Sequence, residues 1–477
     1  MVGSWWFGGA VDFTIDQSVV FDGASNPELS LTYTLDEPWT FSAWIKISKL
    51  GSENLILGAS GGEIHINADG TIEAEGTSST VKLKDPTGWY HIHVSNNGIY
   101  VNGSSVASCT TTDLSNAKLF DDFDGYVAEV ALRSGTVAVT EYGETSNNVW
   151  IPKQKTGGEH YLTFANSSAL GTNSGSGSNW TATNIASTDV KKDSPTNNMP
   201  TFNILSQNST GNIGTFAEGC LKLTTANNDS VAACTMPVME TGCYWEAKVP
   251  TAGTEMFGLW VISTTSPRDA STSSPHLDSA CCCLRVDDPG FYNEGSRTGY
   301  TAGTISNNDI LQFAYKDGQF FYGRNNSWEN SGNPASETGE LFTISSSSSK
   351  IIVPIFGRSG GSNVAYELRF SSDDWTYSAP SGYEEISAAN QPNATITTSG
   401  SFNGNANAEG VFVYLNGVPT AMTINSNAVT FGTHVNKTSG GFKLITSNTD
   451  YNDGGSNSYS VSSTTGAVKN HSNAQVN

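Results

Sequence analysis

Short runs in which apolar and polar residues alternate recur along the whole chain, each closed by Gly, Asn or Asp. In the first third, "TFSAWIKI", "GEIHINADGTIEAEG", "GWYHIHVSNNGIYVNG" and "GYVAEVALRSG" follow one another. A period of two puts alternate side chains on opposite faces of a strand, and "ADG" and "NNG" read as hairpin turns that need positive φ. No long stretch carries apolar residues at i, i+3, i+4 and i+7, so helices are not expected. The pattern predicts an all-β chain built from tandem antiparallel β-sandwiches.

The alternation lapses after "HYLTFANSSALG". Residues 171–198 have no apolar pattern and read as a linker or an irregular wrap. Strand signals resume at Thr201 with "GCYWEAKV", "EMFGLWVIS", "DILQFAYKDGQFFYGRNNSW" and "KIIVPIFGRS". In the third of these, Asp317 and Gly318 separate two aromatic-rich runs, which predicts a tight hairpin. A softer boundary near "SAANQPNATITTSG" is followed by short strands only. The expected organisation is a first sandwich over 1–166, a linker over 167–200, a second sandwich over 201–388 and a small β-rich unit over 389–477. The last stretch, "SNSYSVSSTTGAVKNHSNAQVN", has the composition of a segment that is disordered alone, so a partner subunit or larger assembly would have to hold it.

Length and composition agree with several domains. A chain of 477 residues suits about three units of ~100–200 residues each. The net charge of −22, from 23 basic and 45 acidic residues, speaks against nucleic acid and against anionic membrane surfaces as partners. No apolar run approaches the ~20 residues of a spanning helix, so no membrane insertion is expected. The N-terminal "MVGSWWFGGAVDF" lacks the basic and apolar regions of a secretory signal, which predicts a chain that stays in the cytoplasm or leaves by another route. Seven cysteines, odd in number and not paired as CxxC, predict no disulfide scaffold, and "ACCCLRV" reads as small buried hydrophobes.

Catalytic markers are missing. There is no GxSxG elbow, P-loop, GxGxxG or HExxH, and Glu73 with Glu75 in a polar hairpin reads as an exposed strand face rather than as a glycosidase pair. No enzyme is expected. Trp89, His91 and His93 share one strand face, so His91 and His93 with His65 or His160 are the candidate metal set; the plainer reading is an ordinary strand face, and no cofactor is expected. The acidic "FDDFDG" reads as a solvated turn rather than a calcium loop. Binding is better supported, because sugar rings stack on exposed aromatics while amides and carboxylates bond their hydroxyls. Tyr292, Asn293 and Tyr300 in "RVDDPGFYNEGSRTGYTAG" are the first candidates, and Trp328 in "NNSWENSGN" is the second.

The same runs resemble known families. "WTFSAWIKI", "GWYHIHVSNNGIYVNG" and "FDGYVAEVALRSG" resemble strands of a laminin-G or concanavalin-like jelly roll. "CYWEAKV", "NNDILQFAYKDGQFFYGRNNSW", "IIVPIFG" and "FSSDDWTYSAPSGYEEI" resemble a SPRY domain. "DFTIDQSVVFDG", "WIPKQKTG", "NWTATN" and "DSPTNNMPTFN", in that order, resemble marine bacteriophage tail-fibre or lectin-like virion proteins, and "GNANAEGVFVYLNG" with "GGFKLITSNTDYNDGGSNSY" is similar to a domain that ends such proteins. The resemblance implies a virion location on the phage tail or capsid surface, other virion proteins as partners, self-association as a trimer, and a host-surface glycan or receptor as ligand. A capsid decoration protein or head fibre, and a carbohydrate-active enzyme on a jelly roll, are the alternatives it leaves.

Overall fold

The computed structural model describes residues 13–391 except 61, 147–148, 156–157, 208–213, 226–229, 264–275, 277–279, 345–349 and 359–364. Beyond 391 it describes only Val411–Tyr414, Thr423–Ile424, Asn427–Ala428, Lys437–Thr438, Gly441–Leu444, Ser460–Val461 and Val468–Lys469. The fold is all-β, with no α-helix among the described residues. The chain divides into two compact units, the first running to Asn198 and the second beginning at Met199.

The first unit is a sandwich of two antiparallel sheets. One contains, in spatial order, Ser104–Ala107, Gly98–Val101, Trp89–Ser95, Trp39–Ile47, Gly125–Ser134, Ser18–Phe21 and Val190–Lys191, with His160–Leu162 added to Gly125–Ser134. The other runs Thr181–Thr183, Glu28–Leu35, Leu114–Leu119, Asn54–Ser60, Gly62–Ile66, Thr71–Ala74 and Thr77–Lys82. Phe41, Ile45, Tyr90, Ile92 and Val94 of the first sheet meet Leu29, Leu57 and Ile64 of the second in one core. The alternation read from "GWYHIHV" therefore holds, with Tyr90, Ile92 and Val94 facing inward.

The opposite face of that sheet is also covered, which is why Trp39–Ile47 is buried along its whole length. Phe13 and Ile15, together with Trp150 of the hairpin Gly143–Ser146 and Val149–Pro152, pack over Trp44, Trp89 and Tyr126. The linker expected over 167–200 is instead part of this unit. Thr181–Thr183 pairs with Glu28–Leu35, Val190–Lys191 pairs with Ser18–Phe21, and Trp180 enters the core. Of the two readings of this stretch, linker or irregular wrap, the pairing matches the wrap, whose anchors are spread among Ser, Asn and Gly and leave no periodic trace.

The second unit repeats the architecture. Its first sheet runs Phe202–Gln207, Ser230–Cys234, Lys350–Arg358, Glu255–Ser263, Cys281–Arg285, Gly290–Asn293 and Ser296–Thr301. The second runs Gly214–Ala217, Lys222–Thr225, Ala365–Arg369, Cys243–Lys248, Ile310–Lys316, Gln319–Arg324 and Ser327–Trp328, with Phe342–Thr343 beside Gln319–Arg324. Trp245, Phe257, Phe313, Phe320 and Phe356 fill the space between them. The predicted hairpin closes at Lys316 and Gln319, with Asp317 at φ 47 and Gly318 at φ 82.

The small unit expected over 389–477 lies outside the described residues apart from its strands, of which Val411–Tyr414 and Gly441–Leu444 pair antiparallel. Residues 1–12 and, apart from Ser460–Val461 and Val468–Lys469, the last stretch also fall outside the described residues.

Candidate functional site

The metal reading fails on geometry. Trp150 donates its indole N–H to His91 Nδ1 at 3.0 Å, which fixes the imidazole proton on Nε2, and that nitrogen faces Ser42 Oγ at 2.8 Å. The lone pair a metal would need is already used. Burial holds His91 well below the usual imidazole pKa and brings His93 down to about 3, so both rings are neutral members of an aromatic cluster with Tyr100, Tyr142 and Trp150. His65 lies in the other sheet between Glu63 and Glu73, and His160 packs against Tyr33 and Trp180. No group of three or more metal-ligating side chains forms among the described residues.

The acidic pair also separates. Glu73 is in the strand Thr71–Ala74, but Glu75 takes φ 50 in the following turn and receives Thr112 Oγ1–H at 2.7 Å. The left-handed residue breaks the alternation that would put both carboxylates on one face.

The four residues proposed for binding end in three environments. Tyr292 is buried on Gly290–Asn293, its hydroxyl donating to Asp288 at 3.2 Å and its ring edge-on to His276. Asn293 accepts the Cys282 thiol proton at 3.1 Å. Trp328 packs beside Tyr244 in an aromatic cluster with Phe321, Tyr383 and Trp375, so it is largely a structural side chain. Tyr300 alone of the four stands at a polar rim.

That rim forms where two edge strands meet. Ser296–Thr301 ends one sheet of the second sandwich and Ser327–Trp328 ends the other. Tyr300 rests its ring on Phe291, donates its hydroxyl to Glu329 Oε2 at 2.6 Å and accepts the Asn330 backbone N–H at 2.9 Å. Burial and the Glu329 carboxylate push the phenol up to about 12, so it is a neutral donor and acceptor at any physiological pH. Glu329 Oε1 lies 3.8 Å from Arg324, whose guanidinium also donates to the carbonyls of Gly303 and Thr304. These contacts hold the loop after Tyr300 against the hairpin that carries Glu329. Asn325 and Asn326, both at positive φ, make that hairpin's two-residue turn and aim the backbone that follows toward Tyr300.

The half-buried Tyr300 ring thus sits among a carboxylate, a guanidinium and the backbone N–H of Asn330. Such a set can stack on the apolar face of a sugar and exchange hydrogen bonds with its hydroxyls. Glu329, Asn330 and Arg324 were not singled out from the sequence, although "SWEN" places two of them directly after the flagged Trp328.

No family model matches the chain, and no curated protein matches it. Solved structures do match. The SPRY domain of human HERC1 is 11% identical with a TM-score of 0.28, over 35% of this chain and 96% of that one. The TRIM65 PSpry domain is 11% identical with a TM-score of 0.28, over 36% and 93%. A candidate carbohydrate-binding protein from Bacteroides ovatus is 18% identical with a TM-score of 0.30, over 38% and 60%. The fold rests on the strand pairing described above and not on these likenesses.

Proposed function

We propose that this chain is an attachment protein of a phage virion, a trimeric tail fibre that binds a host-surface glycan through the rim around Tyr300. The observation that carries the binding half is the half-exposed Tyr300 ring held between Glu329, Asn330 and Arg324. The virion half is supported by the ordered resemblance of "DFTIDQSVVFDG", "WIPKQKTG" and "DSPTNNMPTFN" to phage fibre proteins. A fibre suits a modest rim, because repeated weak sites on associated copies raise avidity without new contacts.

The test is an array of bacterial surface polysaccharides probed with the full chain and with Tyr300→Ala and Glu329→Gln. Selective binding is expected, weakened about tenfold by either substitution. Failure to bind any bacterial glycan, or binding that both variants retain in full, would overturn the reading. The mass of the purified chain in solution reads the trimer separately.

A further inference from the structure

We infer that the first sandwich carries a second binding site, for an uncharged saccharide, in the cleft formed by the wrap that follows its last core strand. The cleft has a volume of about 500 Å³, within the range of small-molecule sites, and lies between residues 167–172 and 179–187. Its floor is apolar, from buried Leu170 and Trp180 with half-buried Ile185. Its walls are hydroxyls and an amide, from Ser167, Asn179 and Ser187, all exposed. In a chain of net charge −22, this lining contains no charged side chain at all. An ionic ligand would find no counter-charge there, whereas a ring with one apolar face and several hydroxyls matches both surfaces.

Two features show a shaped site rather than a gap between loops. The loops are tied by Trp180 N–H to Gly171 O at 2.8 Å and by Asn173 N–H to Asn179 Oδ1 at 2.9 Å. A Cβ on Gly171 would stand 2.0 Å from the Trp180 carbonyl, so only glycine permits this approach. The second feature is the Trp180 ring, which is buried, lines the cleft and is held edge-on against His160. An aromatic ring fixed in this way offers an apolar platform to one face of a sugar. Asn179 bonds the neighbouring loop through its oxygen, which leaves its NH2 for the ligand.

This site is independent of the rim at Tyr300, and the experiment separates them. The full chain is titrated by calorimetry with uncharged mono- and disaccharides and, in parallel, with sialic and uronic acids. Trp180→Phe shrinks the aromatic floor; Asn179→Ala, at an exposed position, guards against a folding artefact. An uncharged saccharide is expected to bind, with affinity reduced about tenfold in both variants and unchanged in Tyr300→Ala. Preference for the acidic sugars, binding that both variants retain, absence of any saccharide binding at millimolar concentration, or loss only in Tyr300→Ala would each overturn the site.

Discussion

Glu246 and Tyr377 are 131 residues apart in sequence, yet the Glu246 carboxylate accepts the Tyr377 backbone N–H at 2.8 Å. It also accepts the Thr376 N–H at 2.7 Å and the Tyr244 hydroxyl at 2.8 Å, and the Glu246 side chain is wholly buried. The segment "DDWTYSAP" is thereby clamped over the sheet, with Trp375 edge-on to Tyr244. Glu246→Ala leaves two backbone donors without their acceptor and is expected to cost about 2–5 kcal/mol in the second unit. Glu246→Gln keeps one acceptor oxygen and should cost less. Denaturant unfolding gives the energies, and limited proteolysis should cut the Ala variant within 371–388 first; equal resistance of all three proteins would refute the clamp.

Lys46 and Asp193 make the corresponding tie in the first unit. Their side chains are 1% and 5% exposed, the ion pair is 2.6 Å long, and Asp193 also receives the Trp89 indole N–H at 2.9 Å. Removing one partner of a buried pair leaves an uncompensated charge, so Asp193→Ala is expected to cost about 3–5 kcal/mol. The double variant Lys46→Met with Asp193→Ala should recover part of that loss, because the stranded ammonium is gone. A double variant less stable than Asp193→Ala alone would show that the ion pair is not the source of the effect.

His91 and His93 make the first unit sensitive to acid. Both folded-state pKa values lie below the ordinary imidazole value, His93 at about 3, because burial disfavours the charged ring. The unfolded chain takes up these protons below about pH 6.5 while the folded chain does not, so their contribution to stability falls as pH falls through that value. Each histidine contributes a slope of up to about 1.4 kcal/mol per pH unit between its unfolded and folded pKa values. Amide exchange in Trp39–Ile47, measured from pH 7 to 5 with the intrinsic exchange rate divided out, should report the loss. His93→Gln should flatten the dependence, and an unchanged slope would count against burial of a neutral ring.

These cases also mark what the sequence made legible. The strand Trp89–Ser95 could be read because its alternation is local, and so could the Asp317–Gly318 turn, where the backbone demand falls on adjacent residues. The partners of those strands could not. Trp150 reaches His91 across 59 positions and Asp193 reaches Lys46 across 147, through single polar atoms in stretches with no period. The same limit applies to the rim. Tyr300 was visible as an aromatic in a Gly-rich loop, but its pairing with Glu329 exists only because two sheet edges meet. Trp328 was flagged by the same composition rule, and the fold spends it on packing against Tyr244.

The cysteines offer a last test, of burial itself. All seven are free and buried, and the three consecutive ones lie in Cys281–Arg285, a strand paired on both edges and buried on both faces. Burial pushes the Cys109 thiol up to about 11 and those of Cys243 and Cys282 up to about 12. At pH 8 a thiol with a pKa of 12 is a thiolate about one part in ten thousand of the time, and the thiolate is the reacting species. The native chain should therefore give no rapid colour with Ellman's reagent, and the same chain in denaturant should give seven equivalents. A fast-reacting thiol in the native protein would place at least one cysteine at an accessible, activated position, which the packing of "ACCCLRV" against Asn293 and its neighbouring strands does not allow.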